Sequence, residues 1–364
     1  MNTSTSPRPA GAGHLTELAE ELWEAVAAMD EATAIGLVLR MLDEGVQAES
    51  VLLDVIAVVQ GRVGEEWALN RFSVAQEHAA TAINDRAITA VSLHPSARTV
   101  ATRGRITVAC VDGEWHALPA RLLAEVLKLR GWRVDYLGAQ VPTPHLISHL
   151  HNTRADAVAL SSSIATRLPT AHAVITACQA IGVPVIVGGA AFGPEGRYAK
   201  LLGTDAWAPD ARAAAERLIS SPLPLPLPDH QQFDDLPHLA DQEYTMVTRT
   251  AARLVRTVFV ALQDSFPAMR DYNDAQRERT AEDLAHIVEF LATALYLDGD
   301  ELFTWFTTWT AEILRARGVP AHSLLPALGL LARELKDFPR AVRMLGAANH
   351  ALTSHIPTAA GNAV

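Results

Sequence analysis

RITVACVDGEWHALP, residues 105–119, reads as a strand running into a loop and then a helix. Ile106 to Val111 is a run of β-branched and apolar residues, Asp112-Gly113 interrupts it, and Leu122, Leu123, Val126 and Leu127 follow at helical spacing. Similar short runs recur at Val134 to Leu137, Ala157 to Leu160, Val183 to Val187 and Asp205 to Ala208, separated by helical stretches. That alternation predicts a doubly wound parallel sheet over 105–220. Such sheets take ligands beyond the carboxyl ends of their strands. His116 stands at that position after the first strand, and Glu114 is placed to hold one of its ring nitrogens, which would fix the tautomer and make the other a better metal donor. Taken alone, a single Glu-x-His is better accounted for by a loop histidine beside an ordinary turn.

On either side of the sheet the pattern is helical. Over 14–94, Leu15, Leu18, Leu22 and Val26, then Val51, Leu52, Val55 and Val59, keep a spacing of three or four. Breaks at Gly45 and Gly64 divide this segment into an expected four-helix bundle, and His94-Pro95 ends its last helix. Residues 1–13, rich in Ser, Thr, Pro, Gly and Ala, read as a disordered tail. Prolines at every second position from Pro222 to Pro228 mark a stiff linker, 221–239, before an all-helical domain, 240–353. That domain carries three stripes: Leu254, Val258 and Leu262; Leu284, Ile287, Val288, Leu291 and Leu295; Phe303, Phe306, Trp309 and Ile313. The last dozen residues read as frayed. The fold class is therefore multidomain α and α/β.

The 364 residues include 30 basic and 41 acidic side chains, a net charge of −11 without any basic run, which argues against direct nucleic-acid binding. Two cysteines are too few for a disulfide framework, and neither a signal peptide nor a membrane span is apparent, so a cytoplasmic, soluble protein is expected. No nucleophile triad, phosphate loop or zinc spacing stands out, and no enzyme activity is expected.

Three elements carry a resemblance: Glu114-x-His116-x-x-Pro119, Ser161-Ser162-Ser163 after the third strand, and Gly188-Gly189 after the fourth. In order and separation they resemble the cobalamin-binding domain of corrinoid methyltransferases, mutases and B12 photoreceptors, whose motif is Asp-x-His-x-x-Gly with a serine loop and a paired glycine. The likeness spans about 14–220. It implies a base-off cobalamin with His116 as the lower cobalt ligand, Glu114 behind it, and a slot for the nucleotide tail lined by Ser161, Ser163, Gly188 and Gly189. Glu114 and Pro119 depart from the motif; the first keeps the carboxylate, and proline is tolerated in a first helical turn.

The helical segment sharpens this. Trp67 lies ten residues before Glu77-His78, which resembles the Trp-x9-Glu-His motif of adenosylcobalamin photoreceptors of the CarH type. There the tryptophan packs over the adenosyl group with the Glu-His pair beside it; by themselves, a core aromatic and a solvated helix face would account for the same residues. In those photoreceptors a histidine follows the tryptophan and captures cobalt after light. Here Ala68 occupies that position, leaving His78, water or no ligand for the upper face.

The DNA-reading module of those photoreceptors is not found, and the additional domain is C-terminal and helical, an arrangement that resembles the photocobilins, which bind B12 and biliverdin. A bilin needs cations for its propionates, an apolar slot for its rings and a polar partner for its pyrrole nitrogens. Arg249, Arg253 and Arg256, aromatics such as Phe259, Phe290, Phe303, Trp305, Phe306 and Trp309, and His286 could supply these; by default the arginine row is a solvated face, the aromatics are core, and His286 is equally well solvent-exposed. With no cysteine in that domain, a bilin held wholly within it is non-covalent. The expected function is a light sensor in which photolysis of adenosylcobalamin drives domain rearrangement, signalling through a homo-oligomer or partner protein. The alternatives are a corrinoid carrier for methyl transfer and a regulator sensing B12 level.

Overall fold

β1 (Arg105–Cys110) pairs with β2 (Arg133–Gly138) on one side and β3 (Ala157–Ser161) on the other; β4 (Val185–Gly188) and β5 (Ala206–Trp207) complete a parallel sheet in the order 2-1-3-4-5. The sheet bears out the doubly wound reading. Its switch point lies between β1 and β3, where the chain leaves in opposite directions and a crevice opens at the strands' carboxyl ends. β3 is buried along its whole length and β1 from its second residue onward, as parallel strands covered on both faces must be. This computed structural model describes residues 12–225 and 236–355, and the chain divides into two units, 1–230 and 231–364.

In the first unit four helical segments precede the sheet. They are α1 (Ala12–Ala27), α2 (Glu31–Asp43), a long rod, and α5 (Val74–Leu93). The rod starts as α3 (Ala48–Ser50), passes through a π turn, Val51–Ile56, and continues as α4 (Ala57–Ala68). Gly64 does not break it. The chain turns instead at Asn70, whose φ is +58°, and α5 starts on a Ser73–Gln76 capping box. With open space around it and no positive φ, Gly64 is simply carried through by the packing of Val59 and Val63. α5 ends at Leu93, before His94-Pro95.

Between and after the strands run α6 (Ala117–Leu129), α7 (Thr143–Thr153), α8 (Leu168–Ala180), α9 (Arg197–Leu201) and α10 (Ala211–Ser220). One apolar cluster joins Leu22, Met41, Ile56 and Ile88 of the leading helices to Leu127 of α6 and Ile106 and Val108 of β1. The leading helices are therefore part of the same core as the sheet. Arg130 holds Glu49 through two hydrogen bonds of 2.7 and 2.8 Å, and Arg212 of α10 reaches both Glu49 and Asp54, which reinforces that seam.

Residues 1–11 of the expected tail, 226–235 of the expected linker and 356–364 lie outside the described residues; Ala12 and Gly13 already belong to α1, and Leu236 is buried. The second unit packs α11 (Glu243–Ser265), α12 (Asp274–Leu297), α13 (Asp300–Ala316), α14 (Leu324–Glu334) and α15 (Pro339–His355). The three stripes face inward except for Trp309, which is half-buried. Glu243 fastens this unit. Buried at the start of α11, it accepts the backbone N–H groups of Arg340 (3.0 Å) and Ala341 (2.9 Å), two of the unpaired donors that open α15. The Arg340 side chain then donates to Asp241 and to the Leu295 carbonyl near the end of α12. Glu243→Ala should cost on the order of 1–3 kcal/mol by leaving those buried amides unpaired. The expected readout is a lower urea midpoint, with amide exchange accelerated at Arg340 and Ala341.

Candidate cofactor site

The Asp112–His116 loop is pinned at both ends. Asp112 accepts the backbone N–H and hydroxyl of Thr143 at 2.9 and 3.0 Å, tying the loop to the start of α7. Glu114 is fully buried, 0% exposed, and its carboxylate gathers donors from two loops. Oε1 accepts the N–H groups of Trp115 (2.9 Å) and His116 (3.0 Å) and the His116 Nδ1–H (2.6 Å). Oε2 accepts the Ser162 hydroxyl (3.1 Å) and the N–H groups of Ser163 (2.8 Å) and Ile164 (3.1 Å). Burial opposes ionisation, but the hydrogen bonds from His116, Ser163 and Ile164 outweigh it and hold the carboxyl at about 2.

An ionised Glu114 accepts hydrogen bonds only, so His116 Nδ1 carries a hydrogen, and in the neutral ring it is Nε2 that keeps its lone pair. His116 caps α6, and its side chain is 32% exposed. The neighbouring thiol does not compete as a donor: burial foremost, then the Glu114 charge, push Cys110 up to about 12, and its Sγ–H points to the His116 carbonyl at 3.7 Å. Pro119 is the third residue of α6, where its missing N–H deprives the helix of nothing.

The serine loop and the paired glycine meet through backbone. Ser162 N–H donates to the Gly188 carbonyl (3.1 Å), and Ala191 N–H to the Ser162 carbonyl (3.2 Å). Gly189 has φ +104°, and a Cβ there would collide with the Ser162 carbonyl; one at Gly188 would lie 3.2 Å from the Ala208 carbonyl. Gly189 is thus required by the close approach of the loops themselves, and Gly188 is tightly packed. Of the serines, Ser162 provides the side-chain bond to Glu114, Ser163 contributes its N–H, and Ser161 is the buried end of β3. A strand-end alternation cannot tell these three apart without the register.

Glu77 and His78 lie in the opening turns of α5, with His78 Nδ1 2.6 Å from Glu77 Oε2. Glu77 Oε1 also accepts the Thr81 hydroxyl at 3.0 Å. Trp67 is half-buried in the last turn of α4, beside Ala68. The link between this region and the sheet loop is Trp115, which sequence reasoning passed over because a lone loop aromatic has no periodic signal. Its indole, 48% exposed, stacks on His116 at 3.9 Å between centroids and lies 6.0 Å from His78. Glu114, His116, Ser163, Gly189, Glu77 and His78 therefore belong to one connected region.

In the second unit Arg249, Arg253, Arg256 and His286 are exposed on α11 and α12. Phe303 and Phe306 are core, with Phe306 stacked on Phe290 at 3.7 Å. Phe259 is half-buried. Trp305, 59% exposed, stacks on Trp309 at 5.9 Å along the outside of α13.

Two family models match the chain, both described as a B12 binding domain, over residues 104–219 and 18–92. The HTH-type transcriptional repressor CarA of Myxococcus xanthus is 33% identical over 183 residues, 47% of this chain and 58% of the repressor. The chain thus spans little more than half that relative's length. The monomethylamine corrinoid protein of Methanosarcina barkeri is a similar solved structure, at 19% identity over 56% of this chain and 98% of that one, with a TM-score of 0.48. A cobalamin-binding protein of Desulfitobacterium hafniense matches over 57% and 97% at 19% identity, with a TM-score of 0.32. Two B12 binding domains thus match in succession within the first unit, which supports a cobalamin-type ligand for it. Among the described residues no helix is long and apolar enough to cross a membrane.

The Glu114 carboxyl, lowered from 4.5 to about 2, stabilises the fold fully above pH 4.5, and that contribution is lost as pH falls toward 2. It is worth on the order of 3 kcal/mol. Acid titration of stability should therefore be steeper between pH 4.5 and 2 in the native protein than in Glu114→Gln. Gly189→Ala should cost upward of about 1 kcal/mol through strain at positive φ and its clash with Ser162, seen as a lower thermal midpoint.

Proposed function

We propose that the first unit is a light sensor holding adenosylcobalamin, with His116 Nε2 as the lower cobalt ligand. The observation that carries this reading is the Glu114–His116 arrangement at the switch point: a single imidazole nitrogen, freed by a buried carboxylate, is the donor required by a metal already enclosed in a macrocycle. The donor chemistry fits that group. Trp67, Glu77 and His78 support the adenosyl form, since a broad aromatic and a carboxylate suit a nucleoside's ring and its ribose hydroxyls. The cofactor would contribute a cobalt–carbon bond that light breaks. The chain's own part is to seat the cofactor on His116, cover it with the leading helices, and transmit the loss of the adenosyl group as a rearrangement of those helices.

The proposal extends to the second unit as the seat of biliverdin, held without a covalent bond. Exposed Arg249, Arg253 and Arg256 can meet two propionates, the open Trp305–Trp309 pair offers ring contact, and His286 is available to the pyrrole nitrogens. Signalling then runs to a partner protein or a second copy of the chain, with no catalytic step in the sensor itself.

Reconstitution with adenosylcobalamin should give a protein-bound spectrum that changes on illumination, and His116→Ala should lose the histidine-ligated form. An unchanged spectrum in that variant would refute the ligand, and a light-inert complex would refute the sensor and favour a methyl carrier. Protein made with biliverdin present should show a second, long-wavelength band that Arg249→Ala together with Arg253→Ala weakens.

A further inference from the structure

We propose that Arg167 holds the phosphodiester of the nucleotide tail, so that the first unit prefers a complete cobalamin to a corrinoid without that group. This rests on the cobalamin reading of the unit. Arg167 closes the single turn Ala165–Arg167 that follows the three serines, and it leads directly into α8. Its guanidinium reaches the other loop of the site: a Cβ at Gly113, one residue before Glu114, would lie 3.4 Å from Nη1 and 3.8 Å from Cζ. The cation therefore sits against both loops that Glu114 joins, at the same end of the sheet as His116.

Among the described residues nothing answers its charge. The side chain is half-buried, its Nε is buried with no acceptor, and the guanidinium makes no hydrogen bond or ion pair with any of those residues. The carboxylates of the Gly113 loop are engaged elsewhere, Asp112 by Thr143 and Glu114 by its six donors. An arginine kept for solubility extends into water. One that loses water from Nε without gaining a partner carries a cost that a bound anion removes. The start of α8, which has no side-chain cap, adds to the positive potential there.

The cofactor has one group to match. The side chains around a corrin end in neutral amides, and the fixed negative charge outside the ring is the phosphodiester that joins the ring to the nucleoside of the tail. A guanidinium suits that group, since it offers parallel N–H donors to two phosphate oxygens where a lysine offers a point charge. Ser161 and Ser163, assigned to the slot for the tail, stand on the very loop that Arg167 ends. The cation and the slot are thus carried by one segment of chain.

The test measures equilibrium binding of three corrinoids to the full-length protein in the dark: hydroxocobalamin, cobinamide phosphate, which lacks the nucleoside, and cobinamide, which lacks the phosphate as well. Wild type should bind the two phosphate-bearing corrinoids more tightly than cobinamide by about 10- to 100-fold, the range of a charge-assisted hydrogen-bonded pair. Added salt should shrink that preference. In Arg167→Gln the ratio of cobinamide phosphate to cobinamide affinity should fall toward one, with the thermal midpoint of the cofactor-free protein kept, and Arg167→Lys should recover part of the ratio. Equal affinity of wild type for cobinamide phosphate and cobinamide, or an unchanged ratio in Arg167→Gln, overturns this inference alone. So does a uniform loss of all three corrinoids in that variant, which would make the arginine a support of the loop. Failure of wild type to bind any of the three overturns the cobalamin reading as well.

Discussion

The carboxylate of Glu114 is the junction on which the first unit's ligand-binding end depends. Six hydrogen bonds converge on its two oxygens, three from its own loop and three from the loop after β3. A buried charge is tolerated only when its surroundings replace the water it has lost, and here four of the six replacements are backbone amides, the others being the His116 ring and the Ser162 hydroxyl. The consequence is a shared geometry. The imidazole of His116 cannot reorient without disturbing Ser162–Ile164, and that segment cannot shift without disturbing Gly188 and Gly189, which are pressed against it.

This arrangement also explains why the motif tolerates glutamate and proline. The longer side chain lets one carboxylate span both loops, and Pro119 falls where the helix has no use for its N–H. Local chemistry of this kind was legible from residues 105–119, because a strand, a break and a helix follow one another within fifteen positions. The central strands β1 and β3 were legible because short, buried apolar runs between helical stretches have few other readings, while the half-buried β2 and β5 were legible from their place in the alternation.

What remained hidden depends on pairs far apart in sequence. Arg212 meets Glu49 and Asp54 across more than 150 residues, and no spacing rule connects them. Ser162 rather than its neighbours reaches Glu114 because of the register with which β3 ends. Gly64 suggested a break that tertiary packing overrides, while the actual turn uses Asn70, a residue whose side chain tolerates positive φ. In the second unit the periodic stripes located the core, but the same periodicity could not say whether an aromatic beside a stripe is filled in, as Phe306 is, or left open, as Trp305 is.

The π turn at Val51–Ile56 has a geometric consequence for the leading helices. A turn closed over five residues instead of four accommodates a surplus residue without ending the rod, and each residue in an α-helix advances the face by about 100°. The direction in which Trp67 points is therefore an angular sum, set a dozen residues upstream of the tryptophan itself. A relative with the same tryptophan but an ordinary α-helical turn there would present that ring to a different neighbour, so the length of this rod is as much a determinant of what the indole covers as the residue's identity.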